Sequence, residues 1–463
     1  MRAPLRRPLV PVVFLCLGII AVKLILFNHP RPPTILNLLE LVDENGELTD
    51  GFKEELLLKD RILKEEADGD AKAYQVTDLY GTQTVDRRGH YMEGSAWYNA
   101  GMRTSENLPD DVLSMPQPVF LRNYKNPCWL ERRVPEGDGT HIATDNDRVR
   151  CLPYFHLMGV DKSGTTDLWY RLAQHPHMVR PKAVMGKETH WWSWRRFGYD
   201  IWVKNREIRH FDWYLQHFDD PSKKIEQNVL PDGYGIRHHF ITGEGSPTVF
   251  WDFTGWTHIP QNSGKAAAEA LLTPECIKHL TPDAKFLVII RNPTDRLYSD
   301  YLFLDQFKSQ HNLSVEGFNQ DVRRSLAMLT GCFTERSESD CLLDKQLHMT
   351  IPVRVIVGLY DYFLERWLRV FPADHILVLR SEDYSRNVQY HVAEVFKFLG
   401  LETLPDGEME RIARLPRVFE KSANAKKLGP MMKETRNLLD NFYQRYNEKL
   451  AKRLNSSVFL WQH

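Results

Sequence analysis

The 463-residue sequence has almost no net charge, with 60 Lys and Arg set against 61 Asp and Glu. Without a positive excess there is no global field to hold a nucleic acid by its phosphates, so nucleic acid is not an expected partner and any polyanion must be met by a local basic patch. Cysteine is scarce, at six residues, and no close pair of Cys or His motifs has zinc spacing, so no metal is expected. No internal repeat is visible. The chain is long enough for one large domain or two ordinary ones with a sizeable core.

Long apolar runs are also rare, and the one present lies at the N-terminus, where Arg2, Arg6 and Arg7 precede a stretch over 9–27. Its length matches the roughly 20 residues a helix needs to cross the hydrocarbon. Lys23 lies within about a turn of the far end, where its stem can reach the headgroups. The following "ILFNHPRPP" lacks a small-residue cleavage site, so a retained signal anchor is expected, and the basic residues ahead of it place all that follows in the secretory lumen. That compartment oxidises thiols. Cys332 and Cys341 flank a short polar loop and form the first expected bridge, Cys128 with Cys151 the second, and Cys276 is left as a buried thiol. Sequons at Asn312 and Asn455 agree with a luminal domain. The expected layout is a cytoplasmic tail over 1–8, a membrane anchor over 9–27, a Pro-rich and charged stem over 28–115, and a globular domain over 116–463.

Within that domain, "YFHLMGV" (154–160), "KFLVIIR" (285–291) and "HILVLRSED" (375–383) are short continuous apolar runs of the kind buried parallel strands show. Each leads into a helical pattern, over 166–174, 294–307 and 388–399. Alternating strands and helices predict an α/β fold, a parallel sheet flanked by helices, with ligands at the carboxyl ends of the strands.

Two of those ends carry anion chemistry. The first reads Gly159, Lys162, Ser163, Gly164, Thr165, Thr166, which fails the GxxxxGK[ST] spacing of nucleotide hydrolases but keeps its physics. Gly164 lets backbone amides turn toward a ligand, the threonines add hydroxyls, and the helix that follows presents unpaired N–H groups. The second, "RNPTDRLYSDY", puts Arg291 at a strand tip and Ser299 two turns into the next helix. Two anion sites on neighbouring tips imply a ligand with two separated anionic groups.

These segments resemble the membrane-bound glycosaminoglycan sulfotransferases, which use 3′-phosphoadenosine 5′-phosphosulfate (PAPS). "KSGTT" is similar to their 5′-phosphosulfate loop and "RNPTDRLYSDY" to their 3′-phosphate element, while "KETHWW" (187–192) and "GLYDYFLERWLRVFPADHILVLRSEDY" (358–384) match further family segments. The likeness runs from about residue 120 to the end. It implies a P-loop-like PAPS-dependent sulfotransferase fold and a Golgi membrane protein, single-pass type II, with its catalytic domain luminal. PAPS would be the sulfonate donor, with no metal required, and a sulfated glycosaminoglycan the acceptor; a homodimer is compatible with it.

By the same resemblance Lys162 supports the transferring sulfonate, and Ser163, Gly164, Thr165 and Thr166 cradle the 5′-phosphate. Arg291 and Ser299 hold the 3′-phosphate. Lys421 and Ser422, with Lys426 and Lys427, belong to a loop that closes over the nucleotide. Glu188 matches the family's general base and His190 competes for the role, with Lys187 depressing the carboxylate's pKa or binding sulfate. Arg195 and Arg196 lie in a basic, aromatic stretch suited to a sulfated glycan, and Trp251 with Asp252 could meet a sugar ring. "GEGSPTVFWDFTGW" (243–256) is most similar to the branch that sulfates the 6-hydroxyl of N-acetylgalactosamine 4-sulfate in chondroitin or dermatan sulfate by in-line displacement. Related heparan enzymes carry a lysine where this chain has Gly245. The alternatives are another glycosaminoglycan O-sulfotransferase, such as a heparan 3-O type, and a non-catalytic glycan-binding membrane protein.

Overall fold

The computed structural model describes residues 74–78, 81–85, 111–131, 148–199, 208–232, 235–304, 314–418 and 428–462. The expected anchor over 9–27, most of the expected stem, Asn312 and the loop residues Lys421, Ser422, Lys426 and Lys427 lie outside the described residues. Among the described residues no helix is long and apolar enough to cross a membrane. Val112 and Met115, at the end of the expected stem, are buried in the core of the globular domain.

The centre is a five-stranded sheet: β1 (Phe155–Gly159), β2 (Met178–Val179), β3 (Ile241–Glu244), β4 (Lys285–Ile290) and β5 (Ile376–Arg380), in the spatial order β5-β4-β1-β3-β2. Every neighbouring pair runs parallel. Three strands are the apolar runs read from the sequence; β2 and β3 are too short, and β3 too polar, to announce themselves. The helices after β1, β4 and β5 are α1 (Thr165–Leu172), α2 (Pro293–Leu304) and, after one short helix, α3 (Val388–Phe398).

Alternation along the strands explains why both faces are covered, since successive side chains point to opposite sides. Phe286, Val288 and Ile290 join the larger apolar cluster, which also holds Trp367 and Tyr443. Leu287 and Ile289 join a second cluster with Leu168, Trp169 and Leu172 of α1 and Val392, Val395 and Phe396 of α3. Fully buried Trp367 packs against Phe286 and donates its indole N–H to the Phe250 carbonyl at 3.0 Å. Truncating such a residue to alanine costs about 3–5 kcal/mol.

Both expected disulfides are present. Cys128 and Cys151 bond across an antiparallel strand pair in which they are direct register partners. Cys332 is bonded to Cys341, closing the turn between two helices, and Cys276 is a buried free thiol.

Candidate active site

Three adjacent strand tips build the site. β1 ends at Gly159, where an added Cβ would meet the Pro247 carbonyl and the Phe250 Cβ at 2.9 Å each, so only glycine lets the chain turn there. The loop continues through Lys162, itself at φ 63°, to Gly164 at φ 103°, a left-handed value that favours glycine. No side chain caps α1, which leaves its first N–H groups open toward the loop. Ser163 is buried, and its Oγ has no hydrogen-bond partner within the protein. An orphaned buried hydroxyl beside an uncapped helix start suits an incoming anion.

Lys162 Nζ sits 3.8 Å above the centre of the Phe303 ring, on α2. Burial holds its ammonium below the ordinary lysine value; Arg354 and Arg291 push the same way, while Asp300 and Asp161 oppose them. Lys162 and Arg291 therefore lie within electrostatic reach of one another. β4, which Arg291 follows, is the parallel neighbour of β1, and the Val160 N–H bonds the Ile289 carbonyl at 2.9 Å. Among the described residues Arg291 makes no ion pair. Ser299 lies one turn before Phe303 on α2, partly exposed. The two expected anion cradles are thus neighbours.

Beneath the loop runs an ion network that sequence reading missed. Asp161 accepts from the Trp251 indole at 2.7 Å and pairs with Arg354 at 3.5 Å. Arg354 also pairs with buried Asp300, which Arg296 Nη1 reaches at 3.1 Å. Arg354 and Asp161 are 193 positions apart, so no local pattern announces them. Ser381, at the tip of β5, is also new: its Oγ would lie 3.9 Å from a Cβ on Gly164.

Against the third tip, that of β3, is held the segment with Glu188 and His190. Glu244, fully buried at the end of β3, accepts from the Thr189 N–H at 3.2 Å, from Thr189 Oγ1 at 3.0 Å, and from Ser246. Ser246 Oγ in turn accepts the His190 N–H at 2.7 Å. These bonds fix the "KETH" segment against β3. Glu188 then pairs with Lys187 through one oxygen and with His190 Nε2 at 3.0 Å through the other. His190 Nδ1 meets Thr248 Oγ1 at 3.1 Å, and its ring stacks on Trp194. Burial raises the Glu188 pKa, but Lys187 and His190 outweigh it and bring it down to about 2.

Other expected contacts are placed differently. Lys187 is fully buried against Glu188 and the Gly245 carbonyl, so of its two expected roles the structure displays the first. Arg196 is buried against the rings of Trp191, Trp192 and Phe197. Trp251 is 4% exposed and bonded to Asp161, and Asp252 accepts from the Trp194 indole and from Thr254. These three are built into the protein rather than presented at a surface: Trp251 and Asp252 find internal hydrogen-bond partners, and the Arg196 guanidinium packs among aromatic rings. Arg195 is partly exposed and lies over Trp213. Among the described residues, no group of three or more His, Cys, Asp or Glu side chains could hold a metal ion.

Comparison with known proteins agrees with the resemblance read from the motifs. The chain is 32% identical over 371 residues to carbohydrate sulfotransferase 15 of Rattus norvegicus, covering 79% of this chain and 64% of that protein. The human protein of the same name gives the same identity and coverage. The human bifunctional heparan sulfate N-deacetylase/N-sulfotransferase 3 is 23% identical, over 78% of this chain and 36% of its own length. The chain therefore spans about two thirds of the length of the first of these relatives and about a third of the last. Residues 153–447 match the sulfotransferase domain, from the start of the loop-bearing strand to the C-terminal helix, and the chain belongs to the sulfotransferase family.

Proposed function

We propose that the chain transfers sulfonate from PAPS to the 6-hydroxyl of N-acetylgalactosamine 4-sulfate in chondroitin or dermatan sulfate. The observation that carries the donor assignment is the adjacency of the Lys162 loop and Arg291 on neighbouring strand tips, two cradles for one doubly anionic nucleotide. PAPS supplies an activated sulfonate on a phosphate leaving group. Lys162 neutralises charge gathering on that leaving group, and Ser163 Oγ with the amides from Gly164 to Thr166 receives the 5′-phosphate. Arg291 and Ser299 take the 3′-phosphate. Lys421 and Ser422 belong to the same reading as residues of the closing loop.

Glu188 is the group that faces the acceptor, and it takes the proton of the attacking hydroxyl. Both ring nitrogens of His190 are engaged inside the protein, by Glu188 and Thr248, so His190 orients and stabilises the carboxylate rather than meeting the sugar. The low pKa keeps Glu188 ionised throughout the neutral range.

Acceptor choice rests on the likeness to carbohydrate sulfotransferase 15 and on Gly245. A side chain there would begin 3.0 Å from the Lys187 Cβ, so the lysine that heparan relatives carry has no space unless Lys187 moves. Arg195 supplies positive charge toward the sulfated chain. The same reading places the protein in the Golgi membrane through residues 9–27, with its domain luminal and exposed Asn455 glycosylated.

Labelled sulfonate transfer from PAPS to chondroitin, dermatan and heparan acceptors, followed by disaccharide digestion, tests the proposal. It requires 4,6-disulfated galactosamine units. New sulfated glucosamine in their place would assign the chain to the heparan branch, and no transfer at all would leave only a glycan-binding role.

A further inference from the structure

The tight turn before Glu188 has a composition that folding does not account for. Val184 and Glu188 face each other as an antiparallel bridge, exchanging both backbone hydrogen bonds at 3.2 and 2.9 Å. The Lys187 N–H also bonds the Val184 carbonyl at 3.1 Å, closing a four-residue turn whose central residues, Met185 and Gly186, have φ of 55° and 63°. Turns with two positive φ values favour Asn, Asp or Gly at both positions. A methionine there occupies a conformation that L side chains resist, yet nearly half of its surface stays exposed. Val184 and Met185 are each 46% exposed, two neighbouring apolar side chains with nearly half their surface open to solvent beside Glu188.

Direct partners in an antiparallel bridge project their side chains from the same face of the ribbon. Val184 therefore projects from the same face of the ribbon as Glu188, the group that meets the acceptor hydroxyl in the reading above. A sugar whose hydroxyl lies within hydrogen-bond reach of Glu188 has Val184 as its neighbour on that face, with Met185 next to it.

Resting on the acceptor reading above, we propose that Val184 and Met185 form an apolar ledge that receives the ring face and acetamido methyl of the acceptor hexosamine, selecting an N-acetylated sugar. A free amino sugar would set an ammonium against two hydrocarbon side chains that offer it no partner, beside exposed Arg180, which lies against Gly186 of the same turn and repels it. The ledge thus acts as a specificity element for a hexosamine bearing a neutral, methylated nitrogen substituent.

Val184→Thr keeps the branched shape and Met185→Asn suits the left-handed backbone, so neither substitution threatens the fold. Transfer kinetics are measured for the full chain and both variants on chondroitin 4-sulfate and on the same polymer chemically N-deacetylated. Each variant is expected to raise KM for the acetylated acceptor, about fourfold for each methylene's worth of apolar surface that the bound sugar ceases to cover. The expectation includes unchanged kcat, unchanged adenosine 3′,5′-bisphosphate affinity and a Tm no lower than that of the original chain. The kcat/KM preference for the acetylated polymer should fall toward unity. Transfer by both variants with unaltered KM and unaltered preference would overturn the ledge while leaving the acceptor reading in place. Absence of transfer by the unsubstituted chain to any glycosaminoglycan would remove both.

Discussion

Replacing Glu188 by glutamine separates the chemistry of the site from its stability, provided that Lys187 is varied with it. Lys187 is fully buried and Glu188 is 14% exposed at the side chain. Removing one charge of a buried pair strands the other, at a cost of about 3–5 kcal/mol. Glu188→Gln is therefore expected to lower stability by up to that amount and to lower kcat about 10²- to 10⁴-fold through loss of the base. Lys187→Met removes the stranded charge. Combined with Glu188→Gln it should recover most of the stability and recover none of the activity. Urea unfolding measures the first quantity and single-turnover sulfonate transfer the second. A Glu188→Gln chain retaining kcat within about tenfold of the original, or a double variant regaining activity, would refute the assignment of Glu188 as base.

Acid sensitivity follows from the same carboxylate. Its pKa in the folded protein, about 2, lies below the ordinary 4.5, so its contribution to stability is complete above pH 4.5 and is lost as pH falls through about 2. The stability gap between the original chain and Glu188→Gln, read by urea unfolding, should be constant from pH 7 to 5 and narrow below that. Ser163→Ala should leave Tm nearly unchanged, since the hydroxyl has no partner to lose, and should weaken adenosine 3′,5′-bisphosphate binding about fivefold by calorimetry. Replacing both Cys128 and Cys151 by serine opens a loop of sequence separation 23, expected to cost about 3 kcal/mol in urea unfolding.

Three of the five strands, β1, β4 and β5, and the anion loop were legible because their signals are local. A buried parallel strand is a short apolar run, and the loop's glycine and hydroxyl residues are adjacent in sequence. The disulfides were legible from spacing and compartment. Glu188 and His190 were legible as candidates, whereas their hydrogen bond was not: "KETH" shows two groups two residues apart without showing that the left-handed φ of 50° at His190 accompanies a ring turned back onto the carboxylate. Trp251, Asp252 and Arg196 looked like ligands for a glycan because tryptophan, aspartate and arginine have the chemistry for it. Long-range partners decided otherwise, Asp161 for Trp251 and Trp194 for Asp252, and a motif carries no record of such partners. β3 escaped notice because "ITGE" alternates no apolar pattern, although its end anchors the whole "KETH" segment.

The central claim is that the Lys162 loop and Arg291 hold the two ends of a single nucleotide. It is tested most directly by calorimetric affinities of adenosine 3′,5′-bisphosphate and adenosine 5′-monophosphate for the original chain and for Arg291→Ala. The original chain should prefer the bisphosphate, and Arg291→Ala should lose most of that preference while binding the monophosphate as before. A preference that survives the substitution intact would contradict the account.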